Sequence, residues 1–384
     1  CPVPFIDASQ FIGSSAEGYV KGRLCFSFSD RSAGPPCCLP CPAIDWIYPP
    51  SFRRACRAAA ILNVPGLLLC LILLLALGKD NQGERSSRQL SMCLVIGVCS
   101  LSLGFVVPLA AKPDECADAI TPRDMHSSGA CAFSGAFIIF GALSSAVWTF
   151  IRTVMLHMHI CWTLKPSKKY DYAVQTLGWG TTAIFLSLTL GLTGVSFRFG
   201  DTCHVNMQNS IPNFWGPLLF LAGISAMLQF TTFAYCIKNY IDRKFLPPDE
   251  SRKLSTDLPH SISLPSRFRE VQQVLKMQWR SILIVFLILV DVTFFAILFV
   301  YLDARESRLL SNSDKVRPWV DCVLTNPTSI DECFGQAEEL FIPEAAVIIA
   351  LLLIAVPGYQ CFILVFPSGV KDTWINCSKD AFNR

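Results

Sequence analysis

The sequence predicts an all-α membrane protein: a bundle of seven transmembrane helices behind a short, disulfide-stapled extracellular N-terminal segment. Three observations predict it. Seven long stretches carry almost no charge. Only 16% of the 384 residues are charged and mean hydropathy is +0.45, whereas a soluble domain has about a quarter charged residues. The cysteines also gather in the N-terminal segment and in alternate loops, as an oxidising compartment on one side of a membrane would require.

The uncharged runs are Ala58–Gly78, Gln89–Ala111, Gly129–Ile151, Ala173–Phe197, Trp215–Ile237, Ser281–Leu302 and Ala345–Val370. Each reaches or exceeds the ~20 apolar residues an α-helix needs to cross a bilayer. They place helices at about 56–78, 90–111, 130–160, 173–197, 215–241, 267–302 and 342–366. Pro65, Pro108 and Pro357 fall inside runs, where membrane helices accept them as kinks. The third run organises the rest. It starts with Cys131 near one mouth and reaches Arg152 near the other, ~32 Å away at 1.5 Å per residue.

Charge orients the bundle. The loops after the first, third and fifth runs carry Lys79, Arg85, Arg88, Lys165, Lys168, Lys169 and a basic set from Lys238 to Arg280; the alternate loops are poorer in Lys and Arg. Basic short loops stay in the cytoplasm, so the N-terminus is expected outside and the C-terminus inside. Arg53, Arg54 and Arg57, just before the first run, pull weakly the other way.

Residues 1–55 form the Cys-rich segment, residues 56–366 the bundle, 242–266 a flexible third cytoplasmic loop and 367–384 a cytoplasmic tail. Of 18 cysteines, Cys1, Cys25, Cys37, Cys38, Cys41, Cys116, Cys131, Cys203, Cys322 and Cys333 fall on the expected outer side. Cys322 and Cys333 are close enough in sequence to close a local loop, which leaves Cys116 for one of the N-terminal cysteines, with several pairings open. A metal knuckle at Cys37–Pro42 is disfavoured because no second Cys/His cluster accompanies it. A small cap over the bundle is expected, since this segment is too short for a large ligand-binding domain.

Past Pro265, Phe268, Val271, Val274 and Leu275 follow helical spacing among Arg267, Arg269, Lys276 and Arg280. The sixth helix is therefore expected to continue below the membrane as a basic amphipathic rod. It could lie on anionic lipid or dock a partner, and the pattern favours neither.

Few residues could carry chemistry. There is no P-loop, HExxH or Gly-x-Ser-x-Gly elbow, and His157 and His159 point to different helix faces. No enzyme, cofactor or metal site is expected, and the net charge of +3 implies no nucleic-acid partner. Asp291 is the one charge within a run, near the bilayer midplane. A charge there costs roughly 2.5–3.5 kcal/mol on insertion scales and should face the bundle interior. It reads equally as a ligand contact, ion site or switch, or as a carboxyl satisfied by Asn63, Gln229 or Gln360. Arg152, ~15 Å nearer the inner surface, reads either as a snorkelling lipid anchor or as a cytoplasmic lock that breaks on activation.

Seven helices, a cysteine at the top of the third and Cys203 in the following outer loop resemble a G-protein-coupled receptor. Gly178-Trp179-Gly180 in the fourth helix resembles the Gly-Trp-Gly of secretin-like receptors. Trp148, four residues before Arg152, resembles those receptors' third-helix segment, where a Trp precedes a Glu by the same step. Arg152 stands in place of that acid, so the family's polar lock does not carry over intact. His204 follows Cys203 where secretin-like receptors have Trp. Longer stretches, Cys37–Pro49, Ile120–Ser128, Gly194–His204 and Phe214–Leu219, are similar to a group of fungal heptahelical receptors. A fainter Frizzled-like flavour lies in the linker before the first helix and in Lys371–Trp374, without that family's Cys-rich domain.

The resemblance implies a Cys131–Cys203 disulfide, worth about 4 kcal/mol for so long a loop in the chain-entropy model. It implies a structural Trp179 packed on the second and third helices. It also implies an extracellular ligand of unknown identity, with membrane lipids around the bundle. At the inner face, a cleft lined by Arg152, Arg269, Lys276 and Arg280 would receive the Gα subunit of a heterotrimeric G protein, with Arg152 as its switch. The alternative is a transporter or channel, disfavoured by the single midplane carboxylate and lack of repeats. A third reading is a membrane scaffold that signals nothing.

Overall fold

The computed structural model describes residues 1–11, 23–26, 36–79, 85–162, 168–199, 201–206, 208–244, 282–298, 300–301, 313–327, 329–341 and 343–366. The middle of the third loop, the basic rod with Arg269, Lys276 and Arg280, and the tail lie outside them.

The N-terminal segment folds as a cap. β1 (Ile6–Asp7) and β2 (Cys25–Phe26) flank β3 (Cys37–Cys38) in an antiparallel sheet. Disulfides Cys1–Cys37 and Cys25–Cys38 staple it, and Cys41–Cys116 ties it to the loop after the second long helix. So little chain buries a small core, and covalent staples substitute for the missing apolar area. α1 (Ile44–Ile47) leads into α2 (Pro50–Lys79).

The bundle follows with α3 (Arg85–Ala111), α4 (Gly129–Cys161) and α5 (Lys168–Leu188). Ser128 caps α4, its side chain accepting the Cys131 N–H at 3.3 Å. α4 is the hub: it packs on α3, α5 and the next helix. It approaches α3 closely because Gly141 has no Cβ; one placed there would come within 2.5 Å of the Leu101 backbone nitrogen.

The fourth run does not remain helical to Phe197, as its apolarity suggested. It passes into a π-helical turn, Thr189–Thr193, and stops at Gly194, where φ is +72°. Gly adopts that left-handed value without steric cost. Val195–Phe199 then forms β4, paired antiparallel with β5 (Thr202–Val205). An apolar run does not by itself separate buried strand from helix. A second π-turn, Ile211–Trp215, opens α6 (Gly216–Lys244). The two π-turns are stitched together: Thr189 donates to the Asn213 carbonyl at 2.9 Å, and the Asn213 amide donates to Thr193 at 2.9 Å.

α7 (Ile282–Leu298) represents the sixth run. The segment before the last helix also contains structure that hydropathy could not reveal. α8 (Ser313–Thr325) and α9 (Phe334–Leu340) fold onto the cap, and Cys322–Cys333 joins their ends. Val316, Trp319 and Phe341 from this segment share one core with Phe5, Leu24 and Leu39 of the N-terminus. Trp319 is fully buried, with Phe341 edge-on at 5.0 Å. α10 (Glu344–Val365) then returns along α2 and α3.

Among the described residues, six helices are long and apolar enough to span a bilayer, and α7 adds a shorter apolar one. The first helix starts at Pro50, earlier than the expected boundary near residue 56, so Arg53 and Arg54 also belong to it.

Candidate functional site

A cavity of about 90 Å³ opens inside the bundle, bounded by α3, α4, α6, α7, α10 and β5. Its walls are almost wholly apolar, with Leu101, Ile138, Leu218, Val292 and Ile354 among them. The polar exceptions are Ser145 of α4, His204 of β5, Asp291 of α7 and the Trp215 indole. The volume is several times the ~10–15 Å³ that one water needs.

Asp291 thus lies in the wall of this interior space, as a midplane carboxylate facing inward should. It faces the side-chain amide of Gln360 on α10. Its Oδ2 has no hydrogen-bond partner among the described residues. Asn63, another partner weighed from sequence, instead donates to the Ala59 carbonyl of its own helix at 3.2 Å. Ser145 is 5% exposed, and its hydroxyl also lacks a partner among the described residues. Two buried polar atoms facing an apolar space without partners are costly, by about 1–3 kcal/mol each, unless something fills it.

His204 and Val205 enter the wall because β5 is bound to α4. The Cys131–Cys203 disulfide holds them with the Cα atoms 5.3 Å apart. The His204 ring shares a 2.9 Å hydrogen bond with the Thr202 hydroxyl and meets Phe105 edge-on at 6.2 Å. The sequence marks His204 as an isolated loop histidine and a departure from a family pattern, and does not single out Ser145. The detectable signal was the Ser144-Ser145 pair, two hydroxyls in mid-run with no obvious reason to be there.

Below the cavity, Trp148 is fully buried in a cluster with Leu94 of α3, Ile284 and Ile288 of α7 and Cys361 of α10. Trp179 meets it edge-on at 5.1 Å and stacks on Phe140 at 6.0 Å. Trp179 therefore packs on α4, as its position in the fourth run suggested, and it also hydrogen-bonds Cys93 of α3. Gly178 makes room for this: a Cβ there would lie 2.7 Å from the Trp148 ring. Arg152, one turn on from Trp148, is 8% exposed. A side chain snorkelling to head groups would be far more open, so the lipid-anchor reading does not describe this conformation. Cys361 of α10 lies within electrostatic range of both Arg152 and Asp291.

At the disulfide-bonded end, ion pairs clasp the cap to the bundle. Arg53 of α2 holds Glu115 through both terminal nitrogens, at 2.7 and 2.8 Å, and also reaches Asp45. Arg57 pairs with Asp201 at 3.3 Å. Burial pushes the Glu115 carboxyl above its ordinary range, against the opposing pull of Arg53. Two of the three arginines that pull against the topology, Arg53 and Arg57, are thus paired locally. Among the described residues no group of His, Cys, Asp and Glu could hold a metal ion.

The family model for seven-transmembrane receptors of the secretin family matches residues 57–313. The G protein-coupled receptor gprM of Aspergillus fumigatus (strain CBS 144.89 / FGSC A1163 / CEA10) is 33% identical over 391 residues, covering 100% of this chain and 77% of that protein. Among solved structures, squid rhodopsin aligns with a TM-score of 0.48 and 12% identity, over 86% of this chain and 84% of that one.

Proposed function

This chain belongs to the secretin family of seven-transmembrane receptors, and from that premise we propose how its G-protein-coupled signalling is arranged. The protein sits in the plasma membrane with its disulfide-bonded cap outside. The ligand enters the cavity beneath the cap, and a heterotrimeric G protein binds through Gα at the opposite end. A ligand moves such a bundle only by binding its two states with different affinity. The observation that carries the reading is the position of Trp148. It packs against α7 directly below the cavity wall formed by Ile288 and Asp291, and one turn above the buried Arg152. Motion of α7 caused by a ligand would therefore disturb Trp148 first and Arg152 next.

On this reading Arg152 is the switch, occupying the position where secretin-like receptors have an acid. Arg269, Lys276 and Arg280 line the inner cleft with it. Arg53 and Arg57 support the topology, because their acidic partners on the cap side remove the charge that would otherwise draw that end inward.

The test is a G-protein dissociation assay in cells expressing the chain, screened against nutrients, pheromones and lipids. Ligand-dependent or constitutive dissociation of a Gα subunit supports the reading. No dissociation across a panel of Gα subunits, with the protein at the cell surface, returns the chain to the scaffold reading.

A further inference from the structure

The bundle cavity says what kind of molecule it takes. Its wall is apolar except at a few points, and one of these is a carboxylate. Asp291 presents an oxygen without a partner, and the Ser145 hydroxyl, itself nearly enclosed, is likewise without one among the described residues. Both line the same space as Ile138, Val292 and Ile354. A carboxylate accepts hydrogen bonds and, when ionised, cannot donate them. It therefore selects a ligand group that donates, and it repels a second carboxylate or a phosphate across so apolar a gap.

Size narrows the class further. At about 90 Å³ the cavity is smaller than the roughly 150 Å³ engineered apolar cavity that accepts benzene. It admits one short apolar segment and not a folded peptide. The cap adds a second restriction. Its sheet, α8 and α9 share one core, and three described disulfides and the Arg53–Glu115 clasp hold it together. A peptide helix would have to displace that assembly to descend between the helices.

We propose that this cavity binds a small amphiphile: an apolar tail ending in a single hydrogen-bond donor, an amine or hydroxyl, seated between Asp291 and Ser145. The proposal rests on the receptor reading for its consequence, signalling, but not for binding itself.

The test uses the full chain in phosphatidylcholine nanodiscs and follows thermal unfolding. The probes are n-alkylamines and n-alkanols of graded length, with n-alkanes and n-alkyl carboxylates of matching length as controls. Amines and alkanols should raise the unfolding temperature saturably, with an optimum length; alkanes and carboxylates should not. Asp291→Asn keeps the shape of the side chain, and should weaken amine binding about tenfold or more, as loss of a charged hydrogen bond does. Ala142→Leu fills the cavity from its α4 wall and should abolish the response to every probe. Carboxylates that act as well as amines, an unchanged half-maximal concentration in Asp291→Asn, or no saturable response in the parent chain would each overturn the proposal. The Gα dissociation assay separates the two claims. Coupling without probe binding removes the ligand class and leaves the receptor; probe binding without coupling does the reverse.

Discussion

At Gly178 a Cβ would come within 2.7 Å of the Trp148 ring, which is itself fully buried and has nowhere to retreat. The Gly-Trp-Gly motif is therefore a packing device: Gly178 admits one indole and Trp179 covers its edge. Gly178→Ala should destabilise by about 1–3 kcal/mol, the usual cost of overpacking, visible as a lower unfolding temperature in nanodiscs. Trp179→Ala should lower folded yield through loss of the aromatic pair, worth about 0.5–1.5 kcal/mol beyond area burial, without changing which ligand is selected. Unchanged yield with altered selectivity would place Trp179 in recognition instead. A second residue-level effect depends on pH. Burial tends to raise the carboxyls of Asp118 and Asp124, but hydrogen bonds from Ile120 and Thr121 to one, and from Ser127 and His126 to the other, outweigh it, and both lie below the ordinary 3.8. Groups with depressed folded values add stability that is present above the unfolded value and is lost as pH falls through the folded one. Hydrogen exchange in residues 118–128, corrected for intrinsic rates, should stay protected above about pH 4 and lose protection below it. Protection unchanged down to pH 2 would show that these turns do not depend on charge.

Among the elements, the β4–β5 hairpin depends most on a single covalent link. It is short, it follows a left-handed Gly194, and Cys203 ties it to α4. Cys203→Ser should cost about 4 kcal/mol in the chain-entropy model. It should also free His204 and Val205 from the cavity wall, so probe binding in the cavity should fall even in the fraction of protein that folds. Proteolysis and exchange across Val195–Val205 would report it, and a hairpin that stays protected would show that strand pairing suffices. Little of this element was legible in the sequence. Gly194 was the one local sign that the fourth run ends early, and the π-turns on either side are defined by Thr189, Thr193 and Asn213 reaching across to one another. Those contacts join chain segments about twenty residues apart in sequence, and periodicity within one run carries no information about them.

For the whole molecule, the central question is how an event in the cavity reaches the other end. Cavity wall, Trp148 and Arg152 follow one another down α4 and α7, all buried. A guanidinium offers a planar fork of donors that an ammonium lacks. Arg152→Lys keeps the charge, so at equal surface expression it should reduce Gα dissociation several-fold while leaving cavity binding intact. Coupling equal to the parent would mean that Arg152 only fills space.

The sequence by itself determined the membrane class, the seven apolar runs, the side on which cysteines gather and the inward-facing Asp291. These follow from solvent partition and backbone hydrogen bonding, which act on each run separately. It also carried enough of the receptor pattern, in Gly178-Trp179-Gly180 and the Cys131–Cys203 spacing, to suggest the family. Only the tertiary structure decided that Cys41 pairs with Cys116, that α8 and α9 complete the cap, that Asp291 faces Gln360 and that Ser145 and His204 share its cavity. Each of these depends on which surfaces meet after the helices have formed. Helix packing in lipid turns on close shape fit and small residues such as Gly141 and Gly178, and those choices are made between runs, where hydropathy along the chain is silent.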